Sequence, residues 1–444
     1  MTVALPESTF GSFDTGDTAW VIMSAALVLL MTPGLAFFYG GLARGKAVLN
    51  MMMMSFASIA TISVVYVLWG FSMSFGNSLT GDDDIAGIFS NPFSLWGSDQ
   101  LTQTVEAGED THVVLWGSTG IPAIVFLAFQ LTFAVITVAL ISGSLAERVK
   151  FSTWCVFSVV WATIVYFPLS HMVWGGGIMS GAEKGFASWM FGSTDGAANV
   201  APIDFAGGTV VHINAGMAAL VLALIVGKRI GFGKTPYRPH NIPWVMLGAA
   251  LLWFGWFGFN AGSELAADAT AGLVWVNTTA ATAAAIIGWL AVEWLRDGKP
   301  TSVGAASGIV AGLVAITPAC GALTPVGSLG LGVVAGILSA LAIGLKFKLG
   351  FDDSLDVVGV HLVSGLWGTI GIGLLAKDTG LLYGHNPKQL AVQVVIALFA
   401  LAFTGVLTAA IAYALKPLGW RIDREAEATG IDSAEHAETA YELA

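Results

Sequence analysis

Eleven long apolar runs dominate this chain, at roughly 19–40, 50–75, 118–143, 151–174, 205–226, 241–262, 272–294, 302–322, 326–345, 355–375 and 389–415. A helix of about 20 apolar residues crosses a bilayer core of about 30 Å. The runs are too long for barrel strands and do not alternate with period two. They predict an all-α polytopic membrane protein with eleven transmembrane helices. Composition agrees: 56% of residues are hydrophobic and 11% charged, against about 25% charged in soluble domains. A net charge of -11 disfavours a nucleic-acid partner, which would need a basic surface. Cys155 and Cys320 are the two cysteines, too few for a disulfide framework or a Cys-based zinc site. Residues 1–17 contain no Lys or Arg, so they do not read as a signal peptide.

Basic residues set the orientation. With the N-terminus outside and the C-terminus inside, fifteen Lys and Arg fall in inner connections. Three, Lys184, Lys377 and Lys388, fall in outer ones. An even number of spans would break this alternation. The outer segment Gly76–Gly117 holds Asp82, Asp83, Asp84, Asp99, Glu106, Glu109 and Asp110 and no Lys or Arg. It reads either as the complement of a positive inside or as a field that concentrates cations. Gly175–Ile203 reads as a second outer loop. The polar, acidic tail from Arg421 is either disordered or a docking arm.

Val211-His212-Ile-Asn-Ala-Gly216 and Val360-His361-Leu-Val-Ser-Gly365 share the pattern V-H-x-x-x-G. One lies in the fifth span, the other in the tenth, each starting near an aspartate, Asp204 or Asp356. Five is odd, so two five-span copies would have opposite topology, a transporter signature. Of seven histidines, only His212 and His361 fall well inside apolar runs. Ionisable residues there face a bundle interior or a pathway. The pair can line a pore, ligate a haem between helices, or make an interhelical hydrogen bond.

Glycines at small-xxx-small spacing, as at Gly304, Gly308 and Gly312, predict close helix packing. Trp174 closes the fourth span, and Phe259 and Ser263 lie near the outer end of the sixth. They fit an interfacial aromatic belt or a cation–π cage with a hydroxyl acceptor for a small ammonium cation. Asp204 suits a helix N-terminus. The Met51–Met54 run reads as packing or lipid-facing sulfur.

Longer segments carry a resemblance. DTAWVIMSAALVLLMTPGLAFFYGGLARGKAVLNMMMMS, SLAERVKF, DFAGGTVVHINAG, WFGWFGFNAGS, DDSLDVVGVHLVSGLWGT and GIDSAEHAETAYEL resemble the ammonium transporter family (Amt/Mep/Rh), bacterial Amt branch, across essentially the whole chain. The resemblance implies a homotrimer with one pore per subunit. It implies that His212 and His361 are twin pore histidines. Trp174, Phe133 and Ser263 would recruit ammonium, Phe133 and Phe259 would form a stacked gate, and Asp204 would support the site. The tail would dock at the cytoplasmic face and help bind a PII-type signal protein.

The expected organisation is an extracytoplasmic segment 1–18, helices 1–5 over 19–226, and helices 6–10 over 227–388. Helix 11 follows at 389–415, then a cytoplasmic tail at 416–444. The expected function is ammonium transport in the cell membrane, without enzymatic activity, cofactor or metal. Ammonium would be recruited outside, deprotonated, and passed as ammonia along the histidines. Alternatives are a neutral ammonia gas channel, an ammonium sensor with a transporter fold, and a haem protein using the histidine pair.

Overall fold

A computed structural model describes residues 5–108, 110–235 and 237–441. Expectations for residues 1–4, Glu109, Glu442 and Leu443 lie outside them. Ten helical segments are long and apolar enough to cross a membrane: α1 Thr15–Leu42, α2 Val48–Thr80, α3 Ala123–Leu145, α4 Phe151–Trp174, α5 Gly208–Val226, α6 Ile242–Glu264, α7 Ala269–Asp297, α9 Pro325–Leu349, α10 Val358–Leu375 and α11 Lys388–Ala414. The run expected at 302–322 contains the shorter α8, Ser302–Ile316, with 15 residues. Pro318 explains the early stop: Thr317 keeps helical φ and ψ, but the proline has no N–H to continue the ladder. Turns then carry the chain to Leu323.

Other boundaries move for local reasons. α3 begins at Ala123, with Pro122 as its N-cap, after left-handed Gly117 and Gly120. α2 continues to Thr80 and ends at Gly81, whose φ of 74° suits glycine. α6 and α7 open on Asn241 and Asp268, whose side chains accept from Trp244 N and Ala271 N.

Small residues set the helix spacing. A Cβ on Gly248 of α6 would meet Phe38 N of α1 at 2.4 Å, and one on Gly41 would meet Val245 N at 2.8 Å. Gly304, Gly308 and Gly312 of α8 face α7 in the same way. The α5–α10 crossing is reciprocal: Gly216 packs on Leu362, and Gly365 on His212 and Ile213. Within the methionine run, Met51 and Met54 are buried and Met53 is exposed.

One end of the bundle carries the longer loops. There β1 (Phe10–Gly11), β2 (Thr104–Ala107) and β3 (Asp110–Val114) form an antiparallel sheet in the order β1-β3-β2. The 175–203 connection contains a short helix, Phe186–Phe191. At the opposite end the tail is ordered, so the disordered alternative fails for residues up to Tyr441. Two short helices, α12 Arg424–Thr429 and α13 Ile431–His436, lie against the connections. Asp432 accepts from Leu49 N and Asn50 N at 3.0 and 2.8 Å. Glu427 accepts from Ile230 N, and Glu435 from Phe151 N.

Candidate functional site

The fifth and tenth runs both depart from regular α-helix where their histidines sit. Gly208–Ile213 and Val358–Leu362 are π-helical turns. Such a turn holds an extra residue and leaves backbone groups in need of partners. Asp204 supplies them in α5: its carboxylate accepts from Gly207 N, Thr209 N and Val210 N at 3.1, 2.9 and 3.1 Å. Asp356, the aspartate nearest the start of α10, does not play the matching part. Asp353 accepts from Val357 N and Val358 N at 3.1 and 2.7 Å. Asp356 instead has φ of 63° and pairs with Lys346 at 2.6 Å. Burial pushes the Asp204 carboxyl above its ordinary range, with the four backbone N–H groups of Gly207–Val210 pulling the other way.

The two π-turns bring the histidines together. Nδ1 of His212 and Nδ1 of His361 lie 3.3 Å apart, and the rings stack with centroids 5.4 Å apart at 23°. Both side chains are buried. Only one of two facing nitrogens can donate, so the neutral pair shares one Nδ1–H. One Nε2 then carries a lone pair and the other a proton. Nε2 of His212 has no protein partner.

These rings line a cavity of about 10 Å³ walled by Leu35, Ile136, Val211, Trp256 and Val310. That is about the minimum for one water-sized solute. It cannot hold a porphyrin, so the haem alternative is overturned. Among the described residues no three His, Cys, Asp or Glu form a metal-binding group.

Phe259 also lines this cavity. Phe133 stacks on Phe259 at 4.1 Å and 16°, and both are buried. Beyond them, toward the loop-bearing end, lies a chamber of about 200 Å³ lined by Phe133, Trp174, Phe205 and Ser263. Trp174 meets Phe133 edge-on at 6.1 Å and donates its Nε1–H to Asp204 O at 2.9 Å. Ser263 donates its hydroxyl to Phe259 O at 2.8 Å, which leaves the Oγ lone pairs available. Toward the tail-bearing end, a chamber of about 830 Å³ is bordered by Lys228, Lys346 and Asp356.

The structure therefore brings together Phe133, Trp174 and Ser263 at one chamber, Phe133 and Phe259 in one stack, and His212 with His361 below it. Asp204 stands behind Trp174. Sequence reasoning missed Trp256, which stacks on His212 at 5.4 Å and donates to Thr317 Oγ1 at 2.8 Å. It missed Phe205 in the chamber, and it missed Asp353. The last had a signal: Asp204 precedes His212 by eight residues, as Asp353 precedes His361. His171, expected at a span end, does lie in the last turn of α4, and it is fully buried there, which the sequence did not show.

Ionisable groups inside a membrane mark pathways, so a multi-pass helical protein with apolar constrictions and buried imidazoles has the make-up of a membrane transport protein. The chain belongs to the Ammonium Transporter Family, whose profile matches residues 19–441. It is 53% identical to an ammonium transporter of Mycobacterium tuberculosis, over 97% of this chain and 91% of that protein. It is 45% identical to one of Aquifex aeolicus, over 97% and 94%. Its fold is similar to Candida albicans Mep2, with TM-score 0.79 and 29% identity over 93% of this chain and 88% of that one. It is also similar to a structure named Sensor Amt Protein, with TM-score 0.80 and 27% identity over 95% and 98%. The family and fold support ammonium transport rather than catalysis.

Proposed function

We propose that this protein recruits ammonium at Trp174, Phe133 and Ser263, removes one proton, and passes ammonia through the Phe133–Phe259 gate along His212 and His361. The 3.3 Å Nδ1–Nδ1 contact in a one-molecule cavity carries the reading. Ammonium and potassium are nearly equal in size, so a pore cannot separate them by diameter. Ammonium can donate hydrogen bonds and lose a proton; potassium can do neither. An intact cation in a dry lumen would cost several kcal/mol. A neutral ammonia molecule finds one acceptor and one donor at the two Nε2 atoms.

The pair can also relay the separated proton. A proton added to one Nε2 releases the shared Nδ1–H to the other ring, which gives up its own Nε2–H. Transport is then electrogenic; without the relay the protein is a neutral ammonia gas channel. In this reading there are eleven helices, α8 included. α1–α5 and α6–α10 are inverted copies, α11 is extra, the N-terminus is outside, and the tail is cytoplasmic. The reciprocal α5–α10 crossing and the matched Asp204 and Asp353 caps support the repeat. A homotrimer and a PII-type partner at the docked tail complete it.

The similarity to a structure named Sensor Amt Protein favours one second reading, an ammonium sensor with a transporter fold. Purified protein in liposomes tests both. An ammonium pulse gives a transient current and a potassium pulse gives none. Current for both ions overturns the deprotonation reading. Neither a current nor an internal pH change leaves the sensor.

A further inference from the structure

His171 lies three residues before Trp174 on α4 and takes no part in the conduction path. Its Nδ1 is 3.0 Å from Ser74 O of α2, and its Nε2 is 3.0 Å from Asp84 Oδ2. The Ser90 hydroxyl is more distant, 3.5 Å from Nδ1. A main-chain carbonyl only accepts, and so does an ionised carboxylate. Neutral imidazole has one N–H, so it satisfies one of these oxygens and turns a lone pair toward the other. The contacts are complete only for the imidazolium, with two N–H donors.

The carboxylate on the other side is a junction. Asp84 Oδ1 accepts from Gly87 N at 3.0 Å, and Oδ2 also accepts from Lys184 Nζ. Gly87 O in turn accepts from Ile178 N at 2.9 Å. One ion pair thus ties α4 to both loops at this end of the bundle. Burial raises the Asp84 carboxyl, but Lys184, His171 and Gly87 outweigh it and hold it below the ordinary carboxylate range. Among the described residues, the charged groups facing His171 are Asp84 and Lys184. α2 presents the Ser74 carbonyl, and the 81–122 loop presents the Ser90 hydroxyl.

We propose that His171 is a proton-operated latch, which holds the two outer loops and the Trp174 end of α4 together while charged and releases them as external pH rises. The consequence for ammonium binding rests on the reading of the Trp174 chamber as the recruitment site. Asn77 Nδ2 donates to Gly175 O at 3.4 Å, so the wall that loosens is the one that carries Trp174.

The test uses the full chain in nanodiscs. Amide exchange of 84–90 and 176–186 is followed from pH 5 to pH 9, corrected for intrinsic exchange, alongside KM for ammonium. The wild type is expected to lose protection by about tenfold as pH rises, the worth of one charge-assisted hydrogen bond, while KM increases. His171→Gln, which does not titrate, shows no step. Asp84→Asn can donate its amide to Nε2 of a neutral imidazole that keeps its Nδ1–H on Ser74 O, so its loops stay protected throughout. A flat wild-type profile, or a step that persists in both variants, overturns the latch. Imidazole nitrogen shifts of wild-type His171 give a test without substitution: one bare nitrogen already at pH 5 also overturns it. A protection step with unchanged KM upholds the latch and counts against the chamber as the recruitment site.

Discussion

Asp204 and Asp353 stand in the same relation to the histidine pair, each eight residues before a buried histidine and each accepting backbone N–H groups at the start of the π-turn that carries it. Removing either carboxylate orphans two or more N–H donors. Asp353→Ala and Asp204→Ala are therefore both expected to impair transport, although Asp353 is far from the Trp174 chamber in chain order. Each lost bond to a charged acceptor is worth about 1.5–3 kcal/mol. Thermal unfolding in detergent, together with ammonium flux, checks this. Full flux from Asp353→Ala would refute the shared role.

Asp353 also gives a pH dependence. Burial pushes its carboxyl up to about 6, with Lys346 pulling down and Asp356 pushing further up. A folded-state value above the ordinary one means the fold holds the proton more tightly than the unfolded chain. That stabilisation is present in acid and is lost as pH rises from about 4 to about 6. Asp353→Asn, which does not titrate, should gain on the wild type across that window, by roughly 3 kcal/mol at most. Unfolding midpoints of both proteins at pH 4, 5, 6 and 7 measure it.

His212→Ala combined with His361→Ala should weaken discrimination against potassium, because the lumen then lacks the groups that favour a hydrogen-bonding solute. A fall of about tenfold in the ammonium-to-potassium current ratio corresponds to about 1.4 kcal/mol. Unchanged selectivity would remove the pair from the mechanism.

Trp174→Leu keeps apolar bulk but removes the aromatic face. A cation–π contact is worth about 0.5–2 kcal/mol, so KM for ammonium should rise roughly two- to thirtyfold, with a smaller change in maximal rate. Competition uptake with a labelled amine separates the two. An unchanged KM would move recruitment elsewhere.

Arg148 is fully buried in the α3–α4 connection and donates to Gly227 O, Ser144 O and Asp352 O at 2.9, 3.0 and 2.8 Å. Burial lowers its guanidinium to about 10, so it remains charged at neutral pH. Its own carbonyl accepts from Ile422 N of the tail. Arg148→Met leaves Gly227 O and Asp352 O without a donor and should destabilise the protein by about 2–6 kcal/mol. Arg148→Lys should recover only part of this, since an ammonium cannot match the guanidinium fork. Melting curves of the three proteins check the order.

Much of this was legible in the sequence because a membrane leaves few choices. Ten of the eleven apolar runs fold as long helices near their expected bounds. V-H-x-x-x-G marked the helices that cross, since the glycine of one motif is the seat for the histidine region of the other. The failures have physical causes. Pro318 shortened α8 inside a run whose hydropathy is uniform. Asp356 is nearest the start of α10, so it drew attention from Asp353, although the eight-residue spacing was there to read. Trp256 was hidden among Trp253, Phe254, Phe257 and Phe259, because hydropathy does not say which face of a helix meets an imidazole. His171 stood near a span end in sequence but is sealed by a loop whose path no helical pattern encodes.

The π-turns at Gly208–Ile213 and Val358–Leu362 have a consequence for how such a chain can change. Each turn stores one residue more than an α-helix needs. Deleting a single residue there would relax it to ordinary winding and remove the wide turn that sets its histidine against its partner. Substitutions in these segments act by degree, whereas a change of length acts all at once. Between each aspartate and its histidine, the number of residues constrains the chain more tightly than the identity of most of them.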